Sequence, residues 1–222
     1  MKIIGPSVKI REKELDSEYV LNIENAARIC YKSNSKDDNT SSDFLKQIIK
    51  NGHESVLEHE KVTVLFTVDR GVSHEIVRHR IASYSQESTR YCNYAHDKFG
   101  NEITVIEPFF YVGTDFYEIW RQACEFSEKQ YMRLVKGGAA QEARTILPNS
   151  LKTEIVVTYN MREWRHFFNL RCSDRAHPQM QQVTIPLLLL FKSIFRPVFD
   201  DILYNEKYPT DKYAEIIIIK EQ

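Results

Sequence analysis

Apolar side chains recur along this chain with two periods, near two and near three and a half residues, and the switches between them mark out its elements. Val8 and Ile10 alternate with Lys9 and Arg11, as in a half-buried strand. From Ser17 to Ser33 the spacing lengthens to three and four, with Val20, Ile23, Ala27, Cys30 and Tyr31 on one stripe, which predicts a helix. Ser33 to Ser42, rich in Asn, Asp and Ser, predicts a surface loop. Asp43 to Lys50 is helical again and stops at Asn51-Gly52, a pair suited to the left-handed turn. Lys61 to Val68 alternates as a strand. Asp69-Arg70-Gly71 then turns the chain into a short helix over Val72 to Val77, with Ser73 as the candidate cap.

Ile103, Val105 and Ile106 form a strand-like run that ends before Pro108. Asp115 to Val135 is a long amphipathic helix stopped by Gly137-Gly138, and its Trp120, Cys124 and Tyr131 read as core packing. Ala139 to Leu147 predicts a shorter helix ending before Pro148, with Gln141 and Arg144 on one face. Thr153 to Tyr159 is rich in β-branched residues and reads as a buried strand. Asn160 to Arg171 reads as a helix that puts Arg162, His166 and Asn169 on one face and turns Trp164, Phe167 and Phe168 inward. After a turn at Ser173 to Pro178, one more helix is expected from Gln179 to Leu203, bent or restarted near Pro186 and Pro197. Ile216 to Ile219 suits an edge strand or a subunit contact. Strands alternating with helices imply an α/β or α+β fold, and the absence of repeats and linkers implies one domain over residues 1–222.

Composition narrows the function classes. With 42% hydrophobic and 27% charged residues the chain is neither a disordered tail nor a membrane protein, and no apolar run approaches the ~20 residues of a spanning helix. A net charge of -1 supplies no global field for nucleic acid, so any anion site must be local. Four cysteines lie far apart with no CxxC pair, and the N-terminus lacks a signal-peptide shape, so reduced thiols in a cytoplasm are expected. His53-Glu54 and His59 do not make a zinc helix, because the imidazoles are six apart rather than four, and no metal is expected.

Seven glycines provide neither GxGxxG nor GxxxxGK[ST], so side chains would have to hold any phosphate. Arg78 to Arg90 (RHRIASYSQESTR) can do so: it packs three guanidinium groups, one imidazole and five hydroxyls into thirteen positions. Cations near a helix C-terminus also offset its dipole, but that does not account for Ser88 and Arg90 at their set distance. By average residue usage, Arg-His-Arg, seven residues, Ser, one residue, Arg should arise by chance on the order of once in ten thousand chains or fewer. Arg144 and the Asn160 to Arg171 helix add a second basic cluster, although surface solvation is as good a reading for Arg165 and Arg175. Cys172 beside Arg171 is either a nucleophile of lowered pKa or, more in keeping with its type, a buried structural thiol.

Arg78-His79-Arg80 followed after seven residues by Ser88, extended by Thr89-Arg90, resembles the signature of the flavin-dependent thymidylate synthases. His53 with Ser55, the Gln141 to Arg144 segment leading to Leu147-Pro148, and Asn160 to Arg171 are similar to family segments in order and spacing. The resemblance implies methylation of dUMP to dTMP, with the methylene from methylenetetrahydrofolate and hydride from FAD reduced by NADPH. It implies a compact α/β subunit built on a mainly antiparallel sheet flanked by helices, assembled as a homotetramer with sites shared between subunits.

Carried over position by position, Ser55, Arg78, His79, Arg80, Gln86, Asn160, Arg162 and His166 would bind FAD. Glu75, Arg78, Gln86, Glu87, Ser88, Thr89, Arg90, Arg144 and Arg171 would line dUMP, with Arg171 as the catalytic group facing the uracil imide, where a guanidinium stabilises developing negative charge. No nucleic acid or membrane partner is implied. Two other readings are open: thymidylate synthesis through a Cys172 nucleophile, and a single-stranded nucleic-acid module using Arg and Tyr.

Overall fold

β-branched runs build the centre of the molecule. The computed structural model describes residues 1–32 and 41–220. In its first half β1 (Lys2–Ile4), β2 (Ser7–Arg11), α1 (Glu18–Tyr31), α2 (Ser41–Lys50), β3 (Lys61–Asp69), α3 (Arg70–Ile76) and β4 (Ala82–Gln86) follow in order. Then come β5 (Thr104–Ile106), α4 (Asp115–Gly137), α5 (Ala140–Ala143), β6 (Lys152–Asn160), α6 (Met161–Arg171), α7 (Pro178–Ile194) and β7 (Glu215–Ile219). The main sheet has five strands in the order β4-β6-β3-β2-β7, antiparallel except where β2 runs parallel to β7. β3 and β6 pair along their whole length, from Lys61 opposite Asn160 to Asp69 opposite Lys152. β1 and β5 form a parallel pair joined to the main sheet through the Val105–Leu151 bridge. This is the mixed α/β fold expected, with a mostly antiparallel sheet. No helix among the described residues is long and apolar enough to cross a membrane.

One face of the sheet carries α6 and α7, and Trp164, Phe167, Phe168, Phe191, Phe195 and Phe199 interlock there, each fully buried. Each such side chain contributes about 1.5–3 kcal/mol by leaving water, which makes this wall the rigid backing of the site. A smaller core under α4 holds Tyr94, Val105, Cys124, Tyr131 and Leu151, with Trp120 half-buried and donating to Ser150 Oγ at 2.8 Å.

Several local expectations need correction. Cys30 is exposed rather than part of the α1 stripe, whose Val20, Ile23 and Ala27 pack on the core. Of the expected Ser33 to Ser42 loop, residues 33–40 lie outside the described residues, and α2 already begins at Ser41. α3 starts two residues earlier than predicted, at Arg70, capped by Asp69 Oδ1, which accepts from Val72 N at 2.8 Å; Ser73 instead donates to Arg70 O. The Ala139 to Leu147 helix is one α-turn, Ala140–Ala143, and then a 3-10 turn, Arg144–Ile146. β6 is buried on alternate residues only, with Val156 exposed.

α7 ends at Ile194, not Leu203, and runs through Pro186 without restarting. A proline in a helix leaves the carbonyl four residues earlier without its donor. Here that carbonyl, Gln182 O, accepts from Ala214 N at 2.9 Å, so the chain entering β7 takes the missing bond.

Candidate functional site

The two halves of the site, Arg78 to Arg90 and Asn160 to Arg171, are distant in the chain and meet because β4 lies beside β6. After α3, Arg78 N and His79 N close a turn on Glu75 O and Ile76 O, each at 3.2 Å. The hydroxyls of Tyr84 and Tyr159 pin that turn. They lie 2.9 Å from each other and 2.9 and 3.1 Å from Ile76 O, and Tyr84 also donates to His79 O. His79 is thereby sunk into the core, 3% exposed, with the Phe167 ring edge-on at 4.9 Å and His166 at 5.3 Å. Its neighbours Arg78 and Arg80 point outward and are exposed.

Arg171, the last residue of α6, closes on this turn. Its Nε donates to His79 Nε2 at 3.1 Å, Nη1 to Glu75 Oε2 at 2.5 Å and Nη2 to Glu75 O at 3.2 Å. Since Nε2 accepts, the neutral His79 ring carries its proton on Nδ1. Burial, with Arg171 and His166 adding to it, lowers the His79 pKa to about 4, so the ring is neutral at ordinary pH. Glu163 Oε1 stands 3.3 Å from Nδ1, yet Nδ1 has no aligned hydrogen bond. Burial also raises the Glu163 carboxyl, partly offset by His166 and Arg162.

Among the described residues His79, Glu163 and His166 alone bring three metal-type donor atoms within 4.8 Å of one another. The Nδ1 proton and the adjacent Arg171 cation make this a poor metal site, since ligation needs the lone pair that the proton occupies. His53 and His59, the N-cap and the last residue of the 3-10 turn Glu54–His59, are exposed and belong to no such group among the described residues.

Around the other end of β4 lies the second cluster. Strand alternation turns Ser83 and Ser85 to the exposed face and leaves Tyr84 and Gln86 half-buried, so the five hydroxyls do not form one cradle. Gln86 Nε2 donates to Ser73 Oγ at 2.9 Å and Thr153 Oγ1 at 3.2 Å. The Glu87 carboxylate takes Lys152 Nζ at 2.9 Å and Tyr94 OH at 3.1 Å. Beyond it Arg90 N reaches Ser88 Oγ at 3.3 Å, and Arg144 Nη1 reaches Thr89 Oγ1 at 3.5 Å, so the 3-10 turn after α5 delivers its arginine to the signature. Arg78, Arg80, Arg90 and Arg144 are all exposed, and no carboxylate lies within ion-pair distance of them among the described residues.

α6 forms the third wall. Asn160 caps it, accepting from Glu163 N at 2.8 Å, so its side chain is engaged in the helix terminus. Arg162, half-exposed, bonds Glu58 Oε1 at 2.6 Å, a surface pair of under about 1 kcal/mol that a stronger anion could displace. Asn160, Arg162, Glu163, His166 and Ile81 line a cavity of about 410 Å³. Ser55 is exposed on the adjoining 3-10 turn, whose Glu54 pairs with Arg165. A larger cavity, about 590 Å³, lies beyond Asn169 and holds none of the expected ligand residues.

Some functional neighbours escaped the sequence reading. Glu163 had a local signal, three residues after the capping Asn160 and three before His166; Lys152 had none, and Tyr84, counted among the signature hydroxyls, pins the His79 turn instead. Arg165 is not a surface residue but is 5% exposed, bonded to Asp201 at 2.6 and 2.8 Å, Glu54 at 3.0 Å and Val198 O at 2.5 Å. Cys172 is buried and its thiol is pushed up to about 12 by that burial, the opposite of an activated nucleophile.

Comparison with known proteins shows the family. The family model described as thymidylate synthase complementing protein matches residues 16–196. The flavin-dependent thymidylate synthase of Geobacter sulfurreducens is 39% identical over 185 residues, covering 79% of this chain and 78% of that protein. The enzyme of the same name from Pyrococcus abyssi is 40% identical over 148 residues, or 65% of this chain and 59% of its own. Among solved structures, the UMP/dUMP methylase PolB of Streptomyces cacaoi, crystallised with 5-Br dUMP, shares the fold with a TM-score of 0.72 at 18% identity, over 90% of this chain and 96% of that one. By the family model and these identities, the chain belongs to the thymidylate synthase complementing protein family, that of the flavin-dependent thymidylate synthases.

Proposed function

We propose that this protein methylates dUMP to dTMP, with the methylene carried by methylenetetrahydrofolate and the reducing equivalents by FAD and NADPH. The observation that carries the reading is the meeting at 3.1 Å of His79, from the signature, with Arg171, from the end of α6, beside a row of exposed arginines without carboxylate partners. Two phosphate-bearing ligands need such cations, and among the described residues no carboxylate lies within ion-pair distance of Arg78, Arg80, Arg90 or Arg144.

The residues fit FAD. Arg78 and Arg80 offer planar donors for a pyrophosphate. The cavity walled by Asn160, Arg162 and His166 also carries Glu54 and Glu58, and among the described residues Arg162 is held only by its pairs with these two, at 3.9 and 2.6 Å. Ser55, His79 and Gln86 complete the proposed flavin set. Bound there, FAD would supply hydride to the carbon being transferred. Glu75, Glu87, Ser88, Thr89, Arg90 and Arg144 are proposed to surround dUMP, with Arg78 and Gln86 between the two ligands.

Arg171 is the proposed catalytic group. Three of its N–H groups are spent on His79 and Glu75, which leaves two on the terminal nitrogens in a fixed orientation. A pre-aimed guanidinium of this kind stabilises negative charge along the uracil imide edge more in the transition state than in the ground state.

The tetramer is part of the proposal. On α4 the side chains of Phe116, Ile119, Phe126 and Leu134 make an exposed apolar stripe, the kind of surface that subunit contact covers. Four free thiols suit a cytoplasmic location. The test is direct: protein incubated with FAD and desalted should keep a flavin absorption band and form dTMP from dUMP, methylenetetrahydrofolate and NADPH. Absence of both band and product would refute it.

A further inference from the structure

Glu163 stands across the His79 ring from Arg171. It is 7% exposed, its backbone N–H is held by the Asn160 cap at 2.8 Å, and its carboxylate faces Nδ1 at 3.3 Å. Phe167 and Tyr159 close the flanks of the ring, with centroids at 4.9 and 6.1 Å. Among the described residues a carboxylate stands against one imidazole nitrogen and a guanidinium against the other, with the His166 ring 5.3 Å away between centroids.

We propose that Glu163 is a positioning residue that keeps His79 in the Nδ1–H tautomer and in one ring orientation, so that Nε2 remains the acceptor that aims Arg171. The alternative Nε2–H tautomer would set a donor against the Arg171 Nε–H. Rotation of the ring would put carbon atoms where both partners need nitrogen. Among the described residues Glu163 brings a carboxylate against the Nδ1 proton, at 3.3 Å though not aligned as a full hydrogen bond. Without it that buried N–H loses its facing carboxylate, and the other arrangements can compete. The inference about the ring stands on the subunit's own geometry; its effect on turnover rests on the function proposed above.

Nitrogen-15 imidazole spectra of the full-length, ligand-free protein read the ring without reference to activity. Wild type should show His79 as a single species with Nδ1 protonated and Nε2 unprotonated. Glu163→Gln, whose amide oxygen accepts the same N–H, should keep that pattern. Glu163→Leu should give a mixture or the other tautomer. In turnover, Glu163→Leu should lose on the order of tenfold in kcat for dUMP with flavin still bound, and Glu163→Gln less than about threefold.

A single Nδ1–H species in Glu163→Leu overturns the proposal, as does a scrambled ring with unchanged kcat. If Glu163→Leu does not fold, the wild-type spectrum decides: a mixture or an Nε2–H species there overturns it too. An inactive wild type with the expected tautomer would refute the proposed function and leave the ring assignment intact.

Discussion

Arg171 Nε lies 3.1 Å from His79 Nε2, although 92 positions separate the two residues. That contact binds the end of α6 to the turn after α3. It sets the direction of the one guanidinium proposed to act on substrate, while Glu75 fixes the other side of the same group.

Arg171→Lys should therefore be far from conservative. An ammonium cannot reach His79 and Glu75 and still present two planar donors, so kcat is expected to fall on the order of a hundredfold. Flavin absorbance of the purified variant should match wild type. Retention of more than about a tenth of wild-type kcat would remove the proposed role.

His79 should titrate near 4 rather than 6.5. A histidine with a lower pKa in the folded than in the unfolded chain gives its full stabilisation above 6.5. It loses that contribution as pH falls through about 4, because the unfolded state then takes up the proton first. The loss amounts to at most about 3 kcal/mol, reduced by Glu163, whose raised carboxyl takes up a proton in the folded state over part of the same range. Urea unfolding at a series of pH values checks the sign, and the His79 ring shifts check the site.

Cys172→Ala should retain dTMP formation, since the buried thiol, pushed up to about 12, is not available as a thiolate. The cost should appear in stability, about 1–2 kcal/mol for the small cavity left in the aromatic core. In wild type, a thiol reagent should modify exposed Cys30 well before Cys172. Loss of turnover with an intact fold would instead favour covalent catalysis.

Arg165→Ala should lower the free energy of unfolding by roughly 3 kcal/mol, because the guanidinium ties α6 to Glu54, Val198 O and Asp201 from a buried position. Its carboxylate partners are partly exposed and can be rehydrated, which keeps the loss from being larger. A urea midpoint shift that, at unchanged slope, corresponds to less than about 1 kcal/mol would show that these pairs are energetically minor.

Apolar periodicity along the chain was sufficient for β2, β3, α1, α4 and α6, because in each the pattern of burial repeats the local geometry of the element. It was sufficient also to pick out Arg78 to Arg90 and Asn160 to Arg171 as the segments with chemistry, since unusual residue types at fixed spacing are visible without a fold. Pairings between distant residues were not visible. Pro186 read as a break because the donor that replaces its lost bond, Ala214 N, arrives from the segment before β7. Arg165 reads equally as a surface charge or a ligand-site cation because its partners Asp201 and Glu54 come from two other parts of the chain.

The same division runs through the site. Residue type alone determined that this protein carries too many arginines, and too few glycines, to hold phosphates by a backbone cradle. Which of those arginines stay unpaired, which one is locked against His79, and that Glu163 faces the far nitrogen of that ring were decided by β4 lying beside β6, with α6 continuing from the end of β6. Hydrogen-bond direction and burial depend on what stands within a few ångströms, and only the closed sheet brings those groups together.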